Sequence, residues 1–173
     1  MKVMLSNEYK LGEILIERGL QVAVAESCTG GLLSSRLTDV SGASAYTRAN
    51  FVTYSHEAKH LILGVSEETL ERFGAVSEEC AREMAFGLIN KTNCDLAICT
   101  TGFAGPTVNK IGLIYISVAY KPPLGIKYSG PPSRGGHNIV VKKFQLNPEY
   151  DRKKMKFMFT EKALEMALEI IGR

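Results

Sequence analysis

The chain lacks the long apolar stretches that a membrane protein needs. Its longest apolar runs are only a few residues, and residues 1–12 lack the apolar core of a secretion signal. Lys and Arg total 21 and Asp and Glu total 18, and the net charge of +3 is too small to argue for binding to nucleic acid or to a membrane. We therefore expect a cytoplasmic protein with neither kind of partner.

Cysteine motifs are also missing. The chain has four cysteines, and no two of them form a C-x-x-C pair, so the motifs of zinc ribbons and thioredoxins are absent. They are Cys28, Cys80, Cys94 and Cys99. Without an export signal, we expect reduced thiols that are mostly buried as small hydrophobic side chains.

The composition is nevertheless that of a folded protein. Of the 173 residues, 45% are hydrophobic and 23% are charged, which excludes a disordered or collagen-like chain. The sequence contains no internal repeat and no low-complexity segment. Because the length is close to that of one domain, we expect residues 1–173 to form a single compact unit.

Hydrophobic periodicity predicts alternating helices and strands. The predicted helices cover residues 7–18, 32–37, 56–63 and 149–171. One more helix is predicted directly after an N-cap at Ser77. The predicted strands cover residues 21–25, 49–55, 95–101, 112–120 and 138–146. A long loop over residues 121–137 joins the last two strands as an antiparallel hairpin. This order predicts an α/β fold, a single three-layer α/β/α domain with a mixed, mostly parallel sheet of about five strands.

The first candidate site follows the first predicted strand, where ligand sites of open α/β sheets gather. Ser27 lies on a strand-to-helix turn, and Gly30 and Gly31 let a ligand approach the backbone closely. Free N–H groups near Thr29 could bind a phosphate or stabilise an oxyanion. An ordinary helix cap by Ser27 or Thr29 explains the same residues, so both interpretations stay open.

The second candidate site follows the second predicted strand. No pairing of a histidine with an acid is obvious for Ser27, and a Ser27–Lys59 pair is the other known solution. Such a pair needs a neutral lysine, and bringing its pKa near 7 takes roughly 4 kcal/mol of desolvation and positive potential. Tyr54 could relay the proton or hold the lysine in place. A solvated Lys59 is the alternative.

The third candidate site is the loop from Thr100 to Pro106, after the third predicted strand. Its exposed backbone and hydroxyl groups suit the wall of a pocket for a polar ligand, although a loop that needs positive φ explains it equally well. The candidate binding residues are Thr101, Gly102, Ala104 and Gly105.

A competing motif lies on the predicted helix that carries Lys59. His56, Glu57 and His60 spell H-E-x-x-H, the signature of zinc proteases, and Glu78 or Glu79 could supply a third ligand. The short helix, and the lysine that would lie beside the metal, argue against a zinc hydrolase.

Five segments, in order along the chain, resemble the CinA C-terminal domain family, the nicotinamide-nucleotide amidohydrolases. They are residues 25–31, 51–55, 57–59, 74–77 and 102–106. The resemblance implies a three-layer α/β/α domain that hydrolyses nicotinamide mononucleotide to nicotinate mononucleotide and ammonia. It also implies no cofactor and no metal, because the family usually has asparagine in place of His56 and no second histidine. A homodimer or a higher homo-oligomer is expected from the same resemblance.

The resemblance also assigns roles to single residues. It implies that Ser27 is the nucleophile, that Lys59 is the base, and that Tyr54 supplies an assisting hydroxyl. The backbone of residues 29–31 would then bind the oxyanion. Arg152 matches a family arginine at the start of the last helix and is the candidate for the substrate phosphate, a solvated charge being the alternative.

Three departures from the family pattern bear on the substrate more than on the nucleophile. The segment after Pro106 is shorter, Lys156 replaces an arginine and cannot form a bidentate phosphate fork, and the loop at residues 121–137 is longer. They imply a weaker affinity for the mononucleotide or the use of another amide. A non-catalytic nucleotide-binding or regulatory module with the same fold is the leading alternative function.

Overall fold

A computed structural model describes residues 6–121 and 136–172, so residues 122–135 of the predicted hairpin loop lie outside the described part. The helices are α1 (Asn7–Arg18), α2 (Leu32–Thr38), α3 (His56–Leu63), α4 (Glu67–Arg72), α5 (Glu78–Thr92) and α6 (Arg152–Ile171). The strands are β1 (Val22–Glu26), β2 (Thr47–Val52), β3 (Leu96–Gly102), β4 (Leu113–Tyr120) and β5 (Asn138–Gln145).

These strands form one sheet in the order β2-β1-β3-β4-β5. Strand β1 pairs in parallel with β2 and β3, whereas β4 is antiparallel to both β3 and β5. Among the described strands, β4 therefore runs against the other four. The mixed sheet of five strands predicted from the sequence is confirmed.

Helices cover both faces of this sheet. Side chains alternate between the two faces along each strand, so one strand contributes to the core on each side. Val22 and Val24 of β1 pack in one core with residues of α1, α2 and α6. Ala23 and Ala25 of the same strand pack in a second core with residues of α3, α4 and α5. Strand β1 is buried along its whole length, as expected for the centre of three layers.

Several element boundaries differ from the sequence prediction for local reasons. Strand β2 ends at Val52 rather than at residue 55, because Ser55 caps α3 by accepting from the Ala58 N–H at 3.0 Å. Helix α6 begins at Arg152 rather than at residue 149, because Asp151 caps it at Lys154. Helix α4 was not predicted at all, since its six residues are too few to show a period.

Two expectations from the composition concern the cysteines and membrane-spanning segments. All four cysteines are buried and unpaired, as predicted. Within residues 6–121 and 136–172, no helix is long and apolar enough to cross a membrane.

Candidate active site

The ends of β1, β2 and β3 lie side by side at one edge of the sheet. The Ser27 N–H donates to the Thr100 carbonyl at 3.1 Å, and the Thr53 N–H donates to the Glu26 carbonyl at 2.8 Å. These bonds extend the strand pairing by one step past β1. They place Ser27 beside the turn that leads from β2 into α3.

The structure brings Ser27 and Lys59 into direct contact. Lys59 Nζ lies 3.0 Å from Ser27 Oγ, and it also donates to the carbonyl oxygens of Thr53 at 2.8 Å and Tyr54 at 3.5 Å. Lys59 is 1% exposed and Ser27 is 8% exposed. The interpretation of Lys59 as a solvated surface charge is therefore wrong.

The surroundings of Lys59 disfavour its charged form. Burial lowers the pKa of the Lys59 amine, while the thiols of Cys80 and Cys28 act weakly in the opposite direction. Among the described residues, Lys59 forms no ion pair with a carboxylate. The amine thus has polar contacts but no counter-ion.

Cys28 follows Ser27 directly and presents a second nucleophilic atom to the same region. Burial raises the pKa of the Cys28 thiol to about 12, the nearby Lys59 lowering it only in part. The thiol is therefore protonated near neutral pH and is a poor nucleophile.

A cleft of about 410 Å³ opens next to this pair. Its lining includes Cys28, Tyr54, Gly102, Ala104, Gly105 and Arg152. Ser27 and Lys59 are not part of that lining, whereas Cys28, the residue after Ser27, is. The cleft is large enough for a small-molecule ligand.

Arg152 and Tyr54 meet at the edge of the cleft. Arg152 donates through Nη1 to the Gly105 carbonyl at 2.5 Å and through Nη2 to the Tyr54 hydroxyl at 3.1 Å. Tyr54 is 59% exposed, because it follows the end of β2 and leaves the sheet. Its hydroxyl forms no hydrogen bond with Ser27 or Lys59, so the predicted proton relay through Tyr54 has no support in the geometry.

Thr101 does not reach the cleft. Thr101 lies in β3, within the predicted strand, and the strand continues one residue further, to Gly102. Its hydroxyl donates to the Ala75 carbonyl at 2.6 Å, and the residue is 1% exposed. Thr101 is therefore a structural residue rather than a ligand contact.

Two of the three backbone donors predicted at residues 29–31, those of Gly30 and Gly31, are already occupied. The Gly30 N–H donates to the Ser27 carbonyl at 3.1 Å, and the Gly31 N–H donates to Glu26 Oε2 at 3.1 Å. Thr29 is fully buried, and its hydroxyl lies 2.8 Å from Thr100 Oγ1. An oxyanion or phosphate at these amides would have to displace internal hydrogen bonds.

Glu26 was missed as a functional residue by the sequence analysis. It is fully buried at the end of β1, and its carboxylate accepts N–H groups at the start of α2. An acidic residue shortly before a helix was the available signal, since carboxylates stabilise helix N-termini.

The region of Gly30 also accommodates a side chain from α6. Gly30 has φ +62°, and a Cβ built on it would lie 3.2 Å from Lys156 Nζ. The absence of a side chain at this turn thus allows the Lys156 ammonium to approach the backbone.

The zinc interpretation fails on the arrangement of its ligands. His60 Nδ1 lies 2.8 Å from the Val65 carbonyl. Over the described ranges, no group of three or more His, Cys, Asp or Glu residues is placed to hold a metal ion. His56, Glu57, Glu78 and Glu79 therefore do not converge into a tetrahedral site.

Comparisons with known proteins agree with this architecture. The model of the CinA C-terminal domain family matches residues 5–171. A CinA superfamily structure from Klebsiella pneumoniae is 28% identical and covers 96% of each chain with a TM-score of 0.82. A competence/damage inducible protein from Agrobacterium tumefaciens is 32% identical and covers 98% of this chain and 99% of its own, with a TM-score of 0.80.

Curated relatives cover different shares of the chain. A CinA-like protein from Chlorobium chlorochromatii is 44% identical over 153 residues, which are 88% of this chain and 34% of the relative. A nicotinamide-nucleotide amidohydrolase from Enterobacter agglomerans is 50% identical over 97 residues, which are 56% of this chain and 59% of the relative. The chain spans only 29% to 34% of the length of the first curated relatives that it matches.

Proposed function

We propose that this chain, which belongs to the CinA C-terminal domain family, is an amidohydrolase that converts nicotinamide mononucleotide to nicotinate mononucleotide and ammonia. The observation that carries the proposal is the 3.0 Å contact between Lys59 Nζ and Ser27 Oγ in a buried site. The name of the E. agglomerans relative, a nicotinamide-nucleotide amidohydrolase, supports the choice of substrate.

Three oxygen atoms surround Lys59 Nζ, a number that fits an ammonium as well as a neutral amine, and the lack of a counter-ion among the described residues favours the neutral form. A neutral amine has two N–H bonds and one lone pair. The carbonyl oxygens of Thr53 and Tyr54 can only accept, and they take up two N–H bonds. The lone pair is then left for the Ser27 O–H, whereas an ammonium here would bury a charge without a counter-ion at a cost of several kcal/mol.

The reaction proceeds by acyl transfer. Lys59 takes the proton of Ser27 as Oγ bonds to the carboxamide carbon, and the C=O electron pair moves to the oxygen. The tetrahedral intermediate collapses with cleavage of the C–N bond, and the Lys59 ammonium protonates the leaving nitrogen to give ammonia. Lys59 then takes a proton from water as the water oxygen bonds to the acyl carbon. The C–Oγ bond breaks, Lys59 returns its proton to Ser27 Oγ, and nicotinate mononucleotide leaves.

Arg152 is the proposed contact for the phosphate of the substrate. Its guanidinium lies in the cleft lining, at the N-terminus of α6, where helix geometry also favours anions. In the structure it donates to Gly105 and Tyr54, so both partners would shape the position of the phosphate. The backbone of Gly102, Ala104 and Gly105 would form the opposite wall.

The test is ammonia release from nicotinamide mononucleotide. Turnover should disappear in Ser27→Ala and persist in Ser35→Ala, a matched change at an exposed serine of α2. A metal chelator should leave the rate unchanged. Nucleotide binding without turnover by the wild-type protein would instead indicate a binding module, and loss of turnover in chelator alone would indicate a metal hydrolase.

We also propose that residues 1–173 act as one domain, that the protein is a cytoplasmic homodimer, and that it has no nucleic-acid or membrane partner. Sedimentation should then give twice the chain mass of 19.0 kDa. A mass of one chain would contradict the dimer without bearing on the reaction.

A further inference from the structure

The carboxylate of Glu26 is buried without a cationic partner. Glu26 is 0% exposed, and it belongs to none of the ion pairs among the described residues. Its oxygens accept three backbone N–H groups, from Gly31 at 3.1 Å, Leu33 at 3.0 Å and Ser34 at 2.7 Å. The first turn of α2 therefore supplies the stabilisation that a buried carboxylate needs.

Glu26 holds both ends of the turn that carries Ser27. Its own carbonyl accepts from the Thr53 N–H at 2.8 Å, which anchors it to the end of β2. Its side chain reaches over the turn to Gly31 and the start of α2. Residues 27–30 are thus a short segment whose two ends are tied to one residue.

This arrangement decides which backbone N–H groups are available to a substrate. The amides of Gly30 and Gly31 are engaged, and Thr29 is fully buried. Among the hydrogen bonds of the described residues, the Cys28 amide donates to no oxygen and contacts only its own thiol, and Cys28 lines the cleft. The N–H of the residue after a nucleophile is also a geometrically suitable oxyanion donor.

We infer that Glu26 is a positioning residue for the proposed hydrolysis: its carboxylate fixes the turn at residues 27–30 so that the Cys28 N–H stabilises the oxyanion. The inference rests on the proposed function. Glu26 touches no substrate atom and acts through the turn. Replacing its carboxylate by an amide leaves size nearly constant but turns one acceptor into a donor that faces the N–H groups of α2.

The test compares Glu26→Gln with Glu8→Gln, the same chemical change at a partly buried carboxylate away from the cleft, which contacts Arg36. In Glu26→Gln, kcat for nicotinamide mononucleotide should fall by about 10- to 100-fold with KM nearly unchanged, since a misplaced donor affects the transition state. Glu8→Gln should lower stability while kcat stays at the wild-type value.

A thioamide analogue of the substrate separates oxyanion geometry from general destabilisation. Sulfur accepts hydrogen bonds poorly, so the ratio of amide to thioamide turnover reports the oxyanion donor. This ratio should shrink by about tenfold in Glu26→Gln, in line with the weakening of one donor, and stay constant in Glu8→Gln. An unchanged ratio in Glu26→Gln would overturn the positioning role while wild-type turnover still supports the amidohydrolase.

A second variant tests the same inference in case Glu26→Gln does not fold. Ser34→Pro removes the N–H that forms the shortest of the three bonds to Glu26, and proline is tolerated in the first turn of a helix. It should lower kcat and the amide-to-thioamide ratio in the same direction. Wild-type values of both in a folded Ser34→Pro protein would overturn the inference, and no turnover in the wild type would overturn the proposed function as well.

Discussion

At the scale of the residue, the proposed chemistry of the site depends on the burial of one amine, that of Lys59. An exposed lysine beside a serine hydroxyl would remain protonated and could not act as a base. Lys59 is 1% exposed and has only uncharged neighbours within hydrogen-bonding distance. Burial thus supplies the lowered pKa that the proposed acyl transfer needs.

The pH dependence of turnover should follow Lys59. Because the folded pKa lies below the ordinary 10.5, kcat/KM should rise with pH through the lowered pKa and then level off. Between the lowered pKa and 10.5, the unfolded chain binds a proton that the folded chain does not. Stability relative to Lys59→Met should therefore rise with pH over that window, as measured by urea unfolding at several pH values.

Lys59→Arg is the companion variant, because arginine keeps a positive charge and cannot readily lose a proton. Turnover should fall by about 10³-fold or more while circular dichroism shows a folded protein. Wild-type rates in Lys59→Arg, or a flat pH profile in the wild type, would rule out Lys59 as the base.

Cys28 provides a second prediction at this scale. Since burial raises the pKa of its thiol to about 12, the side chain is not expected to take part in the chemistry. Cys28→Ala should retain kcat within about threefold, in contrast to Ser27→Ala, because only the backbone of residue 28 would be used. Loss of turnover in a folded Cys28→Ala protein would point to a thiol nucleophile.

At the scale of the element, the proposed base Lys59 lies on a helix of only eight residues. Helix α3 is capped at one end by Ser55 and ends at Gly64, and it packs against α5 at Gly87. A Cβ built on Gly87 would lie 1.7 Å from the Leu63 carbonyl oxygen. The two helices therefore approach each other so closely that only glycine fits at position 87.

Gly87→Ala tests whether this close packing sets the position of Lys59. In an exposed helix the change would stabilise by about 1 kcal/mol, but here it should destabilise by roughly 1–3 kcal/mol through overpacking. Turnover should fall about tenfold or more as α3 shifts away from Ser27. Asn90→Ala, on the exposed side of the same helix, should change neither quantity appreciably, as urea unfolding and ammonia release would show.

At the scale of the whole molecule, Arg36 ties together helices from the beginning and the end of the chain. Its guanidinium donates to Glu8 of α1 at 2.6 Å, to Thr160 of α6 at 2.8 Å, and to Glu161 of α6. It also lies 4.6 Å from the ring centre of Phe157. Burial alone would raise the pKa of Glu8, but a backbone hydrogen bond and Arg36 outweigh it and lower that pKa.

Arg36→Met should destabilise the protein by about 3–5 kcal/mol, because two carboxylates lose their shared partner. Arg82→Met, which removes an exposed pair with Glu78, should cost no more than about 0.5 kcal/mol. The Glu8 contribution is present above its ordinary pKa of 4.5 and lost as pH falls through the lowered folded value. Equal urea midpoints for the two variants at pH 7 would contradict the role of Arg36.

The sequence by itself determined the fold class and the main elements. The periodicity of α1 and the alternation of apolar and polar stretches through β5 depend on local spacing, so they could be recognised without coordinates. Ser27 and Lys59 could be singled out because strand ends and helix starts are visible in the sequence, whereas Arg152 was identified only by the resemblance to the family. Helix α4 and the extension of β3 to Gly102 could not, because short helices and strand ends carry little local signal.

Only the tertiary structure decided how those residues are used. Whether Lys59 is solvated or buried depends on the packing of α3 against α5 and the sheet, and these contacts link positions far apart in sequence. The same packing directs the Tyr54 hydroxyl to Arg152, and it commits the amides of residues 30 and 31 to internal acceptors. Local spacing fixes which groups lie near a strand end, but burial and competing hydrogen bonds determine which of them can react.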